Sequence, residues 1–472
     1  MTEGQTLTTP VGLNESSLRD FRFRMRGETL ILGDAGYDEA RRVWNGMFDR
    51  RPAIIARCTG VADVIAAVNF ARDNGLEIAV RGGGHSMSGQ SVCDDGMMID
   101  LSQMKSVRVD PATRTVRAGG GCVWGDVDHE TAAYGLATTG GSVSHTGIGG
   151  LSLGGGFGWL GRKHGFVVDN IVSVDIVTAD GQLRVASADQ HPDLVWAVRG
   201  GGGNFGVVTS FEYQLHDLNP IIVGGMALFP ADRTTEVLRA YRDIMATAPD
   251  ELTLTAVYIS APPAPFVPPE AVGAPMLAIA GCYAGSLEDG QRAMEPVHAL
   301  SPIVDLIGPM PYEVLQSIID DANPHFIQYY NKSHYLNELS DDAIDTFVAQ
   351  AAEKTSPMTQ IILWPFGGAT ARSVGGDTAM GFRDTAYIFV IISAWMDPAE
   401  SERHIAWTRG MWGAMKPFSN GGIYVNDLND EGSKGVTMAY EPATYERLVK
   451  VKTTYDPDNL FHMNQNVKPR SA

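Results

Sequence analysis

The chain has 472 residues, with 36 Lys+Arg against 55 Asp+Glu and a net charge of −19. At that length more than one core is expected, and the acidic balance excludes nucleic acid and anionic membrane as partners, since both need basic patches. Cys58, Cys93, Cys122 and Cys282 form neither a CxxC pair nor a metal-ligand spacing, so the sequence predicts no disulfide framework, no metal centre and a reducing, cytoplasmic setting. No uncharged apolar run reaches the ~18–20 residues of a membrane span, and the N-terminal MTEGQTLTTPVGLNESS lacks the basic-then-apolar order of a signal peptide.

In chain order, Ile54-Ile55-Ala56 reads as a strand, and Val61, Val64, Ile65 and Val68 follow at helical spacing. Asn74-Gly75 closes that helix as a glycine cap, and Ile78-Ala79-Val80 is the next strand. A further strand is expected at 97–101, and a hairpin joins 107–109 to 115–117 across the turn Asp110-Pro111-Ala112-Thr113. Residues 123–134 read as a helix ending at Gly135. From 136 to 160 nearly everything is glycine, serine, threonine or small apolar, a length of loop that a compact domain carries only for a reason, such as a long ligand laid along it. Strands are then expected at 171–178 and 207–215, the second after the run RGGGGNFG at 199–206.

Composition shifts near Asn219-Pro220. Beyond it, helical stretches alternate with strands at Leu252–Ser260, 360–364 and Tyr387–Trp395, and the proline-rich 261–269 is a surface excursion. The tail carries Tyr424-Val425-Asn426 and Asn464-Gln465-Asn466.

Two motifs mislead. Gly201-x-Gly203-x-x-Gly206 and Gly156-x-Gly158-x-x-Gly161 both satisfy GxGxxG, but neither lies between a strand and a helix as a dinucleotide fingerprint requires. Gly150-Leu151-Ser152-Leu153-Gly154 satisfies GxSxG, which keeps a serine hydrolase using Ser152 as an alternative of a different class, although the elbow needs an apolar strand before its serine.

The junction that carries chemistry is Arg81-Gly82-Gly83-Gly84-His85-Ser86, directly after the strand at 78–80. Three glycines let backbone press close to a ligand, and successive bare N–H groups form an anion nest suited to a pyrophosphate. The nest ends in a nucleophile, His85, which a phosphate cradle alone does not need.

This junction resembles the flavin-attachment site of the berberine-bridge-enzyme-like flavoproteins, members of the vanillyl-alcohol-oxidase fold family. The resemblance extends through the 139–158 glycine run, RGGGGNFG, Tyr424-x-Asn426 and Asn464-Gln465-Asn466, and covers most of the chain. It implies an α+β fold of two lobes: a flavin-binding domain at 1–218 with its core at about 48–217, a substrate domain on an antiparallel sheet at 219–415, and a tail at 416–472 that returns to the flavin lobe. It implies FAD bonded covalently to His85. It also implies cofactor contacts from Arg81, Gly82, Gly83, Gly84, Ser86, Met87, Gly140, Ser142, Val143, Thr146, Gly147, Gly149, Gly150, Gly154, Val207, Val208, Tyr424, Asn426, Asn464 and Asn466. Many relatives bear a second covalent link through a cysteine; alignment on Gly147, Gly149 and Gly150 puts Val143 at that position, so one histidyl bond is expected.

The implied function is oxidation of an alcohol or amine C–H of a small organic molecule, with oxygen as acceptor and hydrogen peroxide as product. The alternative in the same fold is a dehydrogenase with another acceptor. Tyr424 is the first candidate for the base, by its place in the family and because a phenol's pKa responds to neighbouring charge. Thr146 falls where the family controls oxygen access, and its side chain is no bulkier than valine. The strand at 387–395 offers no charge and reads as an apolar pocket wall; Gln360, Trp364 and Tyr330 are the candidates for substrate contact.

Overall fold

The computed structural model describes residues 14–372, 378–429 and 431–470. Three sheets organise it. The first has four strands, Glu28–Leu30, Ile54–Arg57, Met97–Asp100 and Ile78–Arg81 in that spatial order, the last three parallel. Parallel neighbours need a crossover, and Val61–Asp73 supplies it, burying Val64, Ala67, Val68 and Ala71 against Ile54, Ala56, Ile78, Met97 and Ile99. Gly75, at φ 64°, ends the helix as the sequence predicted.

The second sheet is antiparallel, with five strands ordered Val107–Asp110, Thr115–Gly119, Val207–Gln214, Ile171–Val177 and Leu183–Ser187. Its strands alternate between two environments. Val208 belongs to the large central core, whereas Val207 joins the core beneath the crossover helix.

The third sheet has eight antiparallel strands between Ile221 and Trp395. It is covered on both faces, so its strands carry almost no polar alternation. Phe389 and Ile391 face outward onto helices Thr234–Ala246, Asp341–Ala352 and Ser401–Met415, while Ile388 and Val390 face inward onto the central core. The tail after this sheet returns to the first half of the chain: Leu448 and Val451 of helix Pro442–Tyr455 pack in one core with Leu194, Val195 and Val198.

The glycine-rich 136–160 departs from the expected loop. Residues Ile148–Gly154 form a two-turn helix that glycine propensity would not predict. Tertiary packing holds it: Ile148 and Ser152 are fully buried, and Ser152 Oγ shares a 2.7 Å hydrogen bond with the buried Tyr213 hydroxyl. Among the described residues no helix is long and apolar enough to cross a membrane.

Candidate active site

A cavity of 370 Å³ lies where the three sheets and the tail converge. Its floor is the turn after strand Ile78–Arg81, in which Gly84 adopts φ 72°. This turn crosses the 143–147 segment backbone against backbone: a Cβ on Gly83 would overlap Gly147, and one on Gly147 would overlap Gly83. Gly150 and Gly203 border the same cavity and face open space. Ile78, Val80, Leu101, Val208 and Phe461 line its apolar part.

His85 sits at the end of the glycine turn. Its Nε2 lies 2.8 Å from His145 Nδ1, and its ring stacks on Trp44 at 4.8 Å and 17°. Trp44 in turn stacks on Tyr329 of the eight-stranded sheet at 3.7 Å. Asn45 ties the same elements, donating from Nδ2 to the carbonyls of Met87 and Tyr329 and accepting the Tyr329 N–H. His325 completes the group, 4.7 Å from His145 ring to ring. Burial, together with His145 and His325, holds the His85 pKa well below the ordinary imidazole range, so the ring is neutral. The three rings bring one nitrogen each within 4.8 Å of one another, a meeting that numbers as distant as 85, 145 and 325 do not suggest.

On the opposite wall the Tyr424 hydroxyl accepts hydrogen bonds from the Gly156 N–H at 2.7 Å and from Asn426 Nδ2 at 2.9 Å. Burial pushes the phenol pKa up, and these two donors only moderate the rise. One turn of 3-10 helix further, Asp427 borders the cavity with its carboxyl buried. Its Oδ1 accepts from Asn331 Nδ2 at 3.2 Å, the Ser333 hydroxyl lies close enough to hold the carboxyl down slightly, and Oδ2 makes no well-aligned hydrogen bond among the described residues. Burial raises this carboxyl to a pKa of about 7, with the nearby Glu431 adding to the rise; Glu431 is itself paired with Lys332.

The tail closes the remaining side. Asn464 donates from Nδ2 to the carbonyls of Gly203 and Phe461, and its buried Oδ1 is unpartnered. Beneath it Lys452, fully buried, donates to Asn204 O, Phe461 O and Asp456 Oδ2, each within 2.8 Å.

Of the residues singled out in the sequence, Gly82, Gly83, Gly84, His85, Ser86, Met87, Ser142, Val143, Thr146, Gly147, Gly149, Gly150, Val208, Tyr424, Asn426 and Asn464 border this one cavity. Five lie behind the wall. Arg81 turns away to donate to Ala40 O, Gly140 packs against Trp124, Gly154 packs against Asn426, Val207 faces the other core, and Asn466 stands outside the lining.

None of the three substrate candidates borders the cavity either. Gln360 supports it from behind by donating to Asn323 Oδ1, Trp364 backs the lining Phe157 at 5.6 Å, and Tyr330 receives Arg409 from helix Ser401–Met415. From strand Tyr387–Trp395 only Ile392 reaches the lining. Ser152, buried in a helix and bonded to Tyr213, is no hydrolase nucleophile: it sits in a helix rather than at a strand end, and among the described residues no histidine hydrogen-bonds to it.

An FAD molecule suits these residues. The crossed glycines leave backbone open to a ligand, and FAD's hydroxyl and imide donors match the unpartnered Asn464 Oδ1 and the weakly partnered Asp427 Oδ2.

Known proteins resemble this chain in sequence and in fold. The family described as "FAD binding domain" matches residues 52–187, and the one described as "Berberine and berberine like" matches 423–468. An FAD-linked oxidoreductase of Dictyostelium discoideum is 31% identical over 463 residues, covering 96% of this chain and 97% of its own. The (R)-6-hydroxynicotine oxidase of Paenarthrobacter nicotinovorans is 31% identical over 463 residues, covering 95% and 98%. Among solved structures, 6-hydroxy-D-nicotine oxidase from Arthrobacter nicotinovorans superposes with a TM-score of 0.84 at 28% identity, over 94% of this chain and 98% of that one. Xylooligosaccharide oxidase from Myceliophthora thermophila shares the fold, with a TM-score of 0.85 at 22% identity over 97% and 99%. The fold is therefore the α+β flavin-binding fold of these proteins, with a large antiparallel sheet.

Proposed function

The chain belongs to the berberine-bridge-like FAD-linked oxidoreductases, enzymes that act on small organic molecules, and on that premise we propose that it is an oxidase holding FAD through one covalent bond to His85. Bound FAD supplies the acceptor for a hydride from an alcohol or amine C–H bond and passes the electrons to oxygen, giving hydrogen peroxide.

One observation carries this reading: a neutral imidazole, His85, ends a glycine cradle in which a side chain at Gly83 or Gly147 has no room. A neutral ring keeps a lone pair for bond formation. A second link has no candidate, because Val143 stands on the cavity wall and all four cysteines are buried outside the lining. The flavin lobe comprises residues 1–218 and the tail 416–472, and 219–415 form the substrate lobe. Gly82 to Met87, Ser142, Val143, Gly147, Gly149, Gly150, Val208, Asn426 and Asn464 are the residues that hold the cofactor.

The substrate proton goes to the Tyr424 side of the cavity. Tyr424 takes that proton only as a phenolate, whose oxygen the Gly156 N–H and Asn426 Nδ2 would hold by their hydrogen bonds. A second reading rests on Asp427, whose weakly partnered Oδ2 and pKa of about 7 suit proton acceptance near neutral pH better than a phenol raised by burial. Phe157, Ile392 and Val425 add apolar wall, which favours a compact amine or alcohol. The hydroxynicotine oxidase relative favours the amine class.

The test is anaerobic mixing of purified enzyme with a panel of cyclic amines, secondary alcohols and sugars, followed by air. The proposal expects flavin bleaching by a member of the panel, fast recovery in air and stoichiometric peroxide. Bleaching that recovers only with an artificial acceptor assigns a dehydrogenase instead.

A further inference from the structure

The His85 ring has two nitrogens, and the protein occupies one of them. Nε2 lies 2.8 Å from His145 Nδ1, and among the described residues Nδ1 of His85 has no hydrogen bond. Trp44 covers one face of the ring and fixes its plane. For Nδ1 to attack carbon it must hold a lone pair, so the ring proton must sit on Nε2 and point at His145 Nδ1.

From this geometry we propose that His145 is the proton acceptor that prepares His85 for covalent attachment of the flavin. The inference rests on the covalent reading above. In the step, the His85 Nδ1–carbon bond forms at the flavin's benzenoid methyl group, and one C–H bond of that methyl breaks, its proton going to solvent. The C–H electron pair reduces the ring system. Alkylated His85 would be a cation; its Nε2 proton passes to His145 Nδ1 and the His85 ring ends neutral. Dissolved oxygen takes the two electrons back and leaves as hydrogen peroxide.

The surroundings support proton transfer in that direction. His85 is half-buried, with one ring face covered by Trp44, and burial with two neighbouring imidazoles already disfavours charge on it. His145 is itself only half-buried, and His325, exposed at the edge of the group and contributed by the other lobe, stands 4.7 Å from it ring to ring, so the acceptor lies near solvent. His145 acts through His85 and is a positioning and proton-accepting residue of cofactor attachment.

The test follows attachment rather than activity. The full chain is purified from riboflavin-starved cells, treated with a chelator and mixed with FAD in air. Samples quenched in acid are run on a denaturing gel, and covalent flavin is read by its fluorescence. Wild type should become fluorescent. His145→Ala should bind FAD within about threefold of wild-type affinity but attach it at least ~100-fold more slowly, the range general base catalysis contributes, and free imidazole should restore part of the rate. Should the alanine variant hold no FAD, His145→Gln decides, since its amide fills the space without accepting a proton; the same slowing is expected. Attachment by either variant at the wild-type rate overturns the inference and leaves the covalent bond intact. A wild-type chain that binds FAD and never becomes fluorescent overturns the covalent reading itself.

Discussion

Gly83 and Gly147 are packed backbone on backbone: each occupies the place where the other's side chain would begin. Sixty-four positions apart, they make the two glycine runs a single cradle. This contact explains why glycine recurs in both segments, and why neither run alone defines the site.

Gly83→Ala should therefore yield a chain that folds but does not hold flavin. The added methyl meets backbone, which cannot rotate away, so the two segments must part; overpacking of this kind costs about 1–3 kcal/mol. Gly150→Ala meets open space and should fold as wild type. Melting temperature and flavin absorbance per chain check both expectations.

Lys452 and Asp456 form a wholly buried ion pair that also satisfies the carbonyls of Asn204 and Phe461 and the N–H groups of Leu460 and Phe461. Lys452→Met strands the Asp456 carboxylate and should cost roughly 3–5 kcal/mol, the range found when one partner of a buried pair is lost. Denaturant titration measures it. Loosening of Phe461, which borders the cavity, should weaken flavin retention in the same variant.

Much of this architecture was legible in the sequence because it is local. The crossover helix shows its apolar spacing at Val61, Val64, Ile65 and Val68, and the glycine turn before His85 follows a visible strand. The substrate wall was not legible, and strand Gln328–Leu336 shows why. All nine of its residues are buried, because the sheet is covered on both faces. Without a polar alternation nothing in the sequence reveals which parity faces the cavity. Tyr330 was singled out, yet Tyr329, one residue earlier, is the side chain that stacks above Trp44. Trp44, Asn45, His325 and Asp427 escaped notice for another reason: each acquires its role from a partner dozens to hundreds of residues away, as when Asn45 bonds Tyr329. The helix Ile148–Gly154 was missed because packing, not propensity, makes it.

Asp427 predicts a pH signature with a definite sign. Its pKa is raised from 3.8 to about 7, so the folded chain favours the protonated form. That contribution to stability is complete below pH 3.8 and is lost as pH rises through about 7. In the flavin-free chain Asp427→Asn should therefore raise the melting temperature relative to wild type at pH 8.5, by a few degrees on a scale of about 1 °C per kcal/mol for a chain of this length, and leave it nearly unchanged at pH 4. If Asp427 accepts the substrate proton, kcat/KM of wild type should climb through neutral pH and the variant should lose that limb. Tyr424→Phe should then retain it.

Thr146 borders the cavity beside Val143, the two joined by a 3.1 Å backbone hydrogen bond from Thr146 N to Val143 O. Its side chain is short, and under the proposed oxidase reading a bulkier aliphatic at this point of the wall would narrow the path for oxygen. Thr146→Leu should slow reoxidation of the reduced enzyme in air-saturated buffer at least ~10-fold, about 1.4 kcal/mol of barrier, while reduction by substrate stays close to wild type. Stopped-flow absorbance separates the two half-reactions.

The measurement that bears most directly on the account is acid precipitation of the purified chain, with His85→Ala alongside. A neutral nucleophile at the end of the glycine cradle predicts that the wild-type pellet stays yellow after washing, that mass spectrometry finds one flavin on the peptide containing His85, and that the variant pellet is colourless. A colourless wild-type pellet beneath a yellow supernatant would contradict it.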